Sequence, residues 1–230
     1  MDTATILVVC TGNVRRSPAI EVMLREGVGA HSGVARHGLS VMSAGTEALA
    51  GYEMDPVIAA EVAANGVRLS RHEAYGLTAE DIDASDLIIT AERSHRREVA
   101  KLVPSAVTRA FTLVEIAALG AQIGRAALGN AAAAAERLLT LVDLAPLQKA
   151  RRRVRRPADD DLIDLRKRSP REARRLVGEA RTHVESLLRV LEPEPSLSLV
   201  DKAHRSGPHP ALPALPGPAD PPAANVAPAG

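Results

Sequence analysis

The segment that decides the predicted fold reads Thr5-Ile-Leu-Val-Val-Cys10-Thr-Gly-Asn-Val-Arg-Arg16-Ser17-Pro18-Ala-Ile20. Its first half is a short, continuous apolar run, which is typical of a parallel strand buried on both faces. Ser17 followed by Pro18 is a helix-start signal, with a hydroxyl at the N-cap and proline at the first helical position. The residues from Cys10 to Ser17 are therefore predicted to form a strand-to-helix turn.

This turn has the composition of an anion-binding loop. Backbone N–H groups at a helix N-terminus point toward an anion, and Gly12 is expected to let the backbone bend where a side chain would obstruct it. The helix dipole and Arg16 both favour the thiolate of Cys10 over the thiol. Arg16 can place two N–H groups on phosphate oxygens, which lysine cannot do, and Ser17 can donate a hydrogen bond to the sulfur. The sequence predicts a nucleophile, an oxyanion cradle and a clamp in one loop.

Strand and helix patterns alternate as far as about residue 119. We predict further strands at 39–44, 86–90 and 110–113, and helices at 17–27, 55–66, from 91 to just before Pro104, and from 114 onward. The alternation indicates an α/β three-layer sandwich, with a four-stranded parallel sheet of order 2-1-3-4 and helices on both faces. Ligands bind such sheets beyond the carboxyl ends of the strands, which is where Cys10 lies.

The second half of the chain is predicted to hold an insertion, a closing helix and a tail. The insertion covers about 120–158, with a helix from Asn130 to Leu144 and a basic run from Arg151 to Arg156 that is either a docking patch or, as we favour, a solvated linker. Ser169-Pro170 begins a long amphipathic helix that ends the domain, 1–191. Ten of the sixteen prolines lie in 193–230, so we expect 192–230 to be a disordered Pro/Ala-rich tail.

Composition narrows the function. The net charge of +1 provides no field that would steer the chain to nucleic acid or a membrane, and the single cysteine fits a reducing cytosol. No signal peptide or membrane-length apolar stretch is visible. The seven histidines lack metal-ligand spacing. We expect a cytoplasmic monomer without metal, cofactor, nucleic acid or membrane partner, and surface or packing roles for His72 and His95.

The spacing Cys10-x5-Arg16, followed by Ser17 and placed directly after the first strand, resembles the phosphate-binding loop of the low-molecular-weight protein tyrosine phosphatases. The Ser-Ala-Gly-Thr sequence at 43–46 is similar to the family's at the same place. This resemblance, over about 1–119 and 159–191, implies hydrolysis of phosphotyrosine in a protein substrate through a cysteinyl-phosphate on Cys10, with Arg16 as phosphate clamp. It also implies substrate contacts from Thr11, Gly12, Asn13, Val14, Arg15, Ser17, Leu49 and Tyr52.

The resemblance also implies a general acid. In the family, an Asp-Pro pair just before the last helix supplies it, and Asp164 matches that aspartate by its distance to the helix, with Leu165 in place of the proline. Asp161 is the rival, and a merely solvated acidic loop is the alternative for both. An acid is needed because tyrosine's pKa of about 10 makes phenolate a poor leaving group.

The sequence departs from the family's pattern around the cleft. Leu49 and Arg166 stand where family members place aromatic rings that flank the substrate, and Tyr52 can substitute in part. Arg15 stands where many members have a second cysteine, so oxidised Cys10 would need an external thiol for its rescue. Two other functions remain open: arsenate reduction with an external small thiol, and a phosphate-binding module with weakened catalysis.

Overall fold

The computed structural model describes residues 3–30, 38–129, 133–152, 156–164 and 169–192. Within these residues, helices and strands alternate through the first half of the chain and helices alone follow. The strands are β1 (Ala4–Cys10), β2 (Leu39–Gly45), β3 (Leu87–Thr90) and β4 (Ala110–Thr112). The α-helices are α1 (Arg16–Ala30), α2 (Pro56–Ala64), α3 (Ala79–Asp83), α4 (Arg93–Leu102), α5 (Leu113–Ile123), α6 (Ala134–Arg151) and α7 (Pro170–Leu191). Short 3₁₀ helices cover Pro104–Thr108, Ala126–Leu128 and Pro157–Asp160.

The four strands form one parallel sheet in the order β2-β1-β3-β4, which confirms the predicted topology. In the register of the sheet, Cys10 at the end of β1 lies beside Gly45 of β2. On the other side, Val9 lies beside Thr90, the last residue of β3. The carboxyl ends of the three strands therefore meet at one edge, and the loops that follow them share that edge.

Helices cover both faces of the sheet because β1 is apolar on both. Ile6 and Val8 belong to the larger core cluster, together with residues of α1, α2, α5, α6 and α7. Leu7 and Val9 belong to the smaller cluster, which includes Ile82 of α3 and Val99 of α4. Alternate side chains of a strand point to opposite faces, so this division defines three layers.

Several predicted helix boundaries differ from the structure, among them those of α1 and α6. α1 begins at Arg16 rather than at Ser17, so Ser17 and Pro18 lie inside its first turn. α6 begins at Ala134 and runs on to Arg151, although Leu144 was its predicted end. Pro146 removes one backbone N–H from the helix, and the last buried side chain of α6, Ala145, lies just before it. Beyond the proline, Lys149 pairs with Glu115 of α5 at 3.0 Å.

The described residues of the insertion pack on the core, and none of them lines the cavity described below. Five apolar residues of α6 join the larger cluster: Ala134, Ala135, Leu138, Leu141 and Ala145. Arg137 is fully buried, and its guanidinium donates hydrogen bonds to the carbonyls of Gly129, Arg125 and Val190. α6 is thereby joined to the end of α7 by charged donors as well as by apolar contact.

The basic run is only in part the solvated linker that we predicted. Arg152 pairs with Asp160 at 2.7 Å, and both side chains are mostly buried. Residues 153–155 lie outside the described residues, as does the predicted tail from 193 onward. The compact unit that carries all the described elements spans Met1–Glu194. In the described part of the chain, no helix has both the length and the apolarity needed to span a membrane.

Candidate active site

A cavity of about 340 Å³ opens at the carboxyl edge of the sheet, above the end of β1. Cys10 lies at its base and is 3% exposed. The residues that line it are Cys10, Thr11, Gly12, Val14, Arg15, Arg16, Leu49 and Asp164. Most of these come from the predicted loop, and Leu49 and Asp164 come from two distant segments, so the structure brings the predicted nucleophile, arginine and acid to one opening.

Asn13 and Ser17 lie beneath the loop and not on the cavity wall. Asn13 is fully buried, and its amide nitrogen donates to the hydroxyls of Ser17 and Ser43, at 2.9 Å each. The amide oxygen of Asn13 accepts from the backbone N–H of Tyr75 at 3.1 Å. The side chain of Asn13 thus supports the loop from inside the protein, in contrast to the predicted substrate contact.

The sharp bend of the loop occurs at Asn13 rather than at Gly12. Asn13 has a φ of 52°, in the left-handed region that asparagine tolerates better than most residues. A Cβ on Gly12 would make only ordinary contacts, the nearest at 3.6 Å from Val14. The glycine that is required is Gly45, where a Cβ would lie 2.5 Å from the carbonyl oxygen of Thr11. The loop therefore packs directly on the backbone at the end of β2.

Ser17 contacts the sulfur of Cys10. The distance from Ser17 Oγ to Cys10 Sγ is 3.0 Å. Because the Asn13 amide already donates to this hydroxyl, its own hydrogen is left for the sulfur. The predicted role of Ser17 as a donor to Cys10 agrees with this geometry, although Ser17 itself is fully buried.

Arg16 is held at the cavity by carboxylates from two other segments. Its guanidinium pairs with Glu92, which is the second residue after the end of β3, and Nη2 lies 3.5 Å from Oδ1 of Asp164. Burial raises the pKa of Glu92, but the hydrogen bond and the charge of Arg16 together lower it by more than burial raises it. The net shift of this pKa is therefore downward. Glu92 was missed by the sequence analysis; an acidic residue just beyond a strand end was the only available signal.

His95 is buried against the loop, so of the two roles predicted for it, surface or packing, the surface role is excluded. It is 4% exposed; its Nδ1 accepts from the backbone N–H of Glu92, and its Nε2 lies 2.9 Å from Oγ1 of Thr11. The hydrogen of the neutral ring therefore lies on Nε2 and is donated to Thr11. Arg16 Nη2 also donates to this hydroxyl, at 3.4 Å. Thr11 consequently accepts twice and keeps its own hydrogen for an acceptor in the cavity.

The stability of the protein should fall in mild acid because of His95. Burial and the nearby charge of Arg16 lower the pKa of His95 from 6.5 to about 4. Between these two values the unfolded chain binds a proton that the folded protein does not, so stability is full above pH 6.5 and decreases as the pH falls. We expect His95→Gln to flatten the dependence of the unfolding free energy on pH between 7 and 5, measured by urea titration.

The comparison with wild type isolates His95 from other groups of the same sign. Burial also lowers the pKa of His183, and that contribution is common to both proteins. The lowered pKa of Glu92 acts at more acidic pH, below the range compared. An unchanged slope between pH 7 and 5 in His95→Gln would show that His95 does not resist protonation in the folded protein.

His72 also lies beneath the loop rather than at the surface. Its Nε2 is 2.7 Å from the carbonyl oxygen of Asn13, and its Nδ1 is 3.9 Å from Glu21. Glu21 also accepts from Ser43, the second hydroxyl partner of the Asn13 side chain. The bend at Asn13 is therefore supported through both its side chain and its carbonyl.

Asp161 and Asp164, the two candidate acids, have different surroundings. The side chain of Asp164 is 69% exposed and lies on the cavity wall beside Arg16. The carboxylate of Asp161 is bound by Arg93 and is not among the lining residues. Leu165 and Arg166, which replace the family's Pro and aromatic residue, lie outside the described residues.

The walls of the cavity are aliphatic and charged. Leu49 is 45% exposed and lines the cavity, as predicted. Tyr52 is 66% exposed and is not among the described lining residues, so it does not take the place of the missing ring there. Arg15 lines the rim with its Nε bound to Asp55 at 2.9 Å, and Asp55 also caps α2 by accepting from Val57.

The fold and the loop define a class of protein. It is a three-layer α/β domain whose first strand ends in a cysteine, and the loop that follows brings an arginine to the same cavity. Comparison with known proteins gives the family. Residues 5–122 match the family model described as low molecular weight phosphotyrosine protein phosphatase. The probable low molecular weight protein-tyrosine-phosphatase EpsP of Ralstonia solanacearum is 38% identical over 112 residues, which cover 49% of this chain and 72% of that protein. The chain belongs to the low molecular weight phosphotyrosine protein phosphatase family.

Solved structures share the fold at low sequence identity. Vibrio vulnificus Wzb in complex with benzylphosphonate superposes with a TM-score of 0.56 at 18% identity, over 81% of this chain and 98% of that one. The YwlE arginine phosphatase of Geobacillus stearothermophilus gives a TM-score of 0.55 at 19% identity, over 90% of this chain and 99% of that one. These likenesses confirm the predicted fold class.

Proposed function

We propose that this protein is a tyrosine phosphatase that hydrolyses phosphotyrosine in protein substrates through a cysteinyl-phosphate intermediate. One observation carries the proposal: Cys10 Sγ lies 3.0 Å from the Ser17 hydroxyl, at the base of a cavity that Arg16 and Asp164 border. Membership of the family and the names of its relatives support the substrate class. A catalytic thiolate must stay reduced, which supports a cytoplasmic location.

The first step transfers the phosphoryl group to the enzyme. The thiolate of Cys10 attacks phosphorus, so that an S–P bond forms as the P–O bond to the tyrosyl oxygen breaks. Asp164 donates its proton to that oxygen, and tyrosine leaves as the neutral phenol. Arg16 and the loop amides stabilise the charge on the transferring group. Thr11, whose hydrogen remains free to donate, can bind one of the phosphoryl oxygens.

The second step releases phosphate. The carboxylate of Asp164 takes a proton from water as the water oxygen attacks phosphorus, and the S–P bond breaks. The electron pair returns to Cys10 as thiolate, which Ser17 stabilises by its hydrogen bond and so makes a better leaving group. Asp164 is again protonated, and the enzyme is ready for another turnover. The exposure of Asp164 at the cavity wall supports both of its roles because water and the substrate oxygen can reach it.

The aliphatic wall of the cavity leaves the substrate class partly open. Leu49 offers apolar contact to a phenol ring but no ring stacking. A fold neighbour is named an arginine phosphatase, so phosphoarginine is a substrate to be compared with phosphotyrosine. Arsenate reduction requires an external small thiol, since Cys10 is the chain's single cysteine.

A substrate panel tests the proposal. Wild-type protein is assayed for phosphate release from peptides that carry phosphotyrosine, phosphoserine or phosphoarginine, and for arsenate reduction with a small thiol. We expect the phosphotyrosine peptide to be hydrolysed with a kcat/KM at least ~100-fold above that of the phosphoserine peptide, because a serine alkoxide is a far worse leaving group. A preference for phosphoarginine, or arsenate reduction without phosphoester hydrolysis, would replace the proposal. Oxyanion binding without turnover would leave a phosphate-binding module.

A further inference from the structure

Residues 161–164, which we call the acid segment, are bound to the turn between β3 and α4. The carboxylate of Asp161 accepts three kinds of hydrogen bond from Arg93: from the backbone N–H at 2.8 Å, from Nε at 3.1 Å and from Nη2 at 2.9 Å. Both carboxylate oxygens accept hydrogen bonds from the Nε–Nη2 edge of the guanidinium. This two-point geometry resists rotation better than a single ion pair. We refer to this pair as the Arg93–Asp161 clamp.

The next residue fastens the same segment a second time. The backbone N–H of Leu162 donates to the carbonyl of Ala91 at 2.8 Å, and the Leu162 side chain is 1% exposed within the larger core cluster. Ala91 in turn donates its own N–H to the carbonyl of Val9, at 2.9 Å, next to Cys10. The acid segment is therefore joined through Ala91 to the strand that carries the cysteine.

The turn that receives the clamp also orients the loop. Glu92 pairs with Arg16, and His95 is hydrogen-bonded to Thr11. The five residues from Ala91 to His95 thus contact the loop on one side and the acid segment on the other. Asp164 follows Asp161 by three residues and reaches the cavity beside Arg16.

The charge state of Asp161 suits an anchor. Burial raises the pKa of Asp161, but the hydrogen bonds and the charge of Arg93 lower it by a larger amount, so the net shift is downward. The carboxylate is therefore ionised at neutral pH with its lone pairs turned to Arg93, whereas a general acid must hold a proton that it can release to the substrate.

We propose that Arg93 and Asp161 are positioning residues that hold the Asp164 carboxyl at the leaving oxygen without touching the substrate themselves. The inference rests on the proposed function, since it assigns the clamp to the acid step of that reaction. It follows that loss of the clamp harms the transfer of the proton more than the attack by sulfur. The damage should therefore depend on how much the leaving group needs a proton.

The experiment compares two aryl phosphates, phenyl phosphate and one whose phenol is much more acidic than tyrosine. The variants are Arg93→Met, Arg93→Lys, Asp161→Asn and the double variant Arg93→Met with Asp161→Asn. Arg97→Met serves as the matched control, because Arg97 is an exposed arginine on the same helix. The readout is kcat/KM, which reports the first step, together with the melting temperature of each variant. Asp164→Ala provides the reference for complete loss of the acid.

We expect clamp variants to lose about 10- to 100-fold in kcat/KM on phenyl phosphate and less than about 3-fold on the activated ester. The double variant should be no worse than the poorer single variant, because both remove the same contact. Arg93→Lys should retain part of the activity, and Arg97→Met should match wild type.

Four results would overturn the inference. Equal losses on both substrates would indicate a general structural defect, as would losses that follow the melting temperature. A selective loss in Asp161→Asn but none in Arg93→Met would make Asp161 the acid itself. Wild-type rates in every clamp variant would show that Asp164 needs no such anchor. These outcomes differ from failure of the proposed function, in which wild-type protein or Asp164→Ala would not show the acid-dependent reaction at all.

Discussion

The Cys10→Ser variant is expected to lose hydrolysis of aryl phosphates by about 10⁴-fold or more, because the hydroxyl that replaces the thiolate is almost entirely un-ionised at neutral pH. The substitution is nearly isosteric, and Cys10 is only 3% exposed, so the loop should keep its conformation. Ser17 and Asn13 remain to hydrogen-bond the new side chain and the loop. Initial rates of phosphate release and affinity for inorganic phosphate, measured by calorimetry, separate chemistry from binding: the first should vanish and the second should survive.

A trapping experiment gives this prediction its second readout. Cys10 is the single cysteine of the chain, so a phosphoryl group found on cysteine after rapid acid quench can only lie there. Wild-type protein should yield phosphocysteine, and Cys10→Ser should yield none. Residual turnover in the variant, or a phosphoryl group on another residue type of the wild type, would exclude Cys10 as the nucleophile.

The Asp164→Ala variant is expected to lose about 100-fold or more in kcat/KM on phenyl phosphate and phosphotyrosine peptides. The reason is the leaving group: without a proton donor, the reaction must expel a phenolate. The loss should shrink as the leaving phenol becomes more acidic. Because the Asp164 side chain is 69% exposed, the substitution should leave the melting temperature nearly unchanged.

Asp159→Ala is the matched control for this experiment, since Asp159 is an exposed aspartate in the same acidic segment. It should behave as wild type with every substrate. If Asp164→Ala hydrolyses phenyl phosphate as fast as Asp159→Ala does, then Asp164 is not the acid. The clamp variants described above then distinguish between Asp161 and an acid from another part of the protein.

Much of the fold was predictable because its signals are local. The alternation of apolar strands with capped helices identified a parallel sheet, and its order is the predicted one. Asp55 caps α2, and Ser169 accepts from Glu172 at the start of α7, as the residue types indicated. Boundaries were less certain where two signals competed. Ser17-Pro18 has the composition of a helix start, but α1 begins one residue earlier, because the Ser17 hydroxyl bonds Asn13 and Cys10 inside the protein.

The residues that orient the loop could not be read from local patterns. Glu92, His95 and His72 lie far from Cys10 along the chain and have no motif in common. Their roles depend on which strand is neighbour to β1 and where the following turn begins. A histidine on a helix with several arginines looks like a surface residue until the fold buries it. The same holds for Asp161 and Asp164. They are the same residue type in one short segment, and the structure distinguishes them by the contact of Asp161 with Arg93.

By itself, then, the sequence determined the loop from Cys10 to Ser17 and the architecture around it. The order of these residues and the periodicity of the strands and helices are properties of short segments, and short segments carry their own signals. Only the tertiary structure decided which distant side chains meet that loop. Burial lowers the pKa of His95 and so favours its neutral form. The carboxylate of Asp161 is paired with Arg93, whereas Asp164 lines the cavity. Such effects depend on distances between segments, which are established only when the sheet and its helices pack.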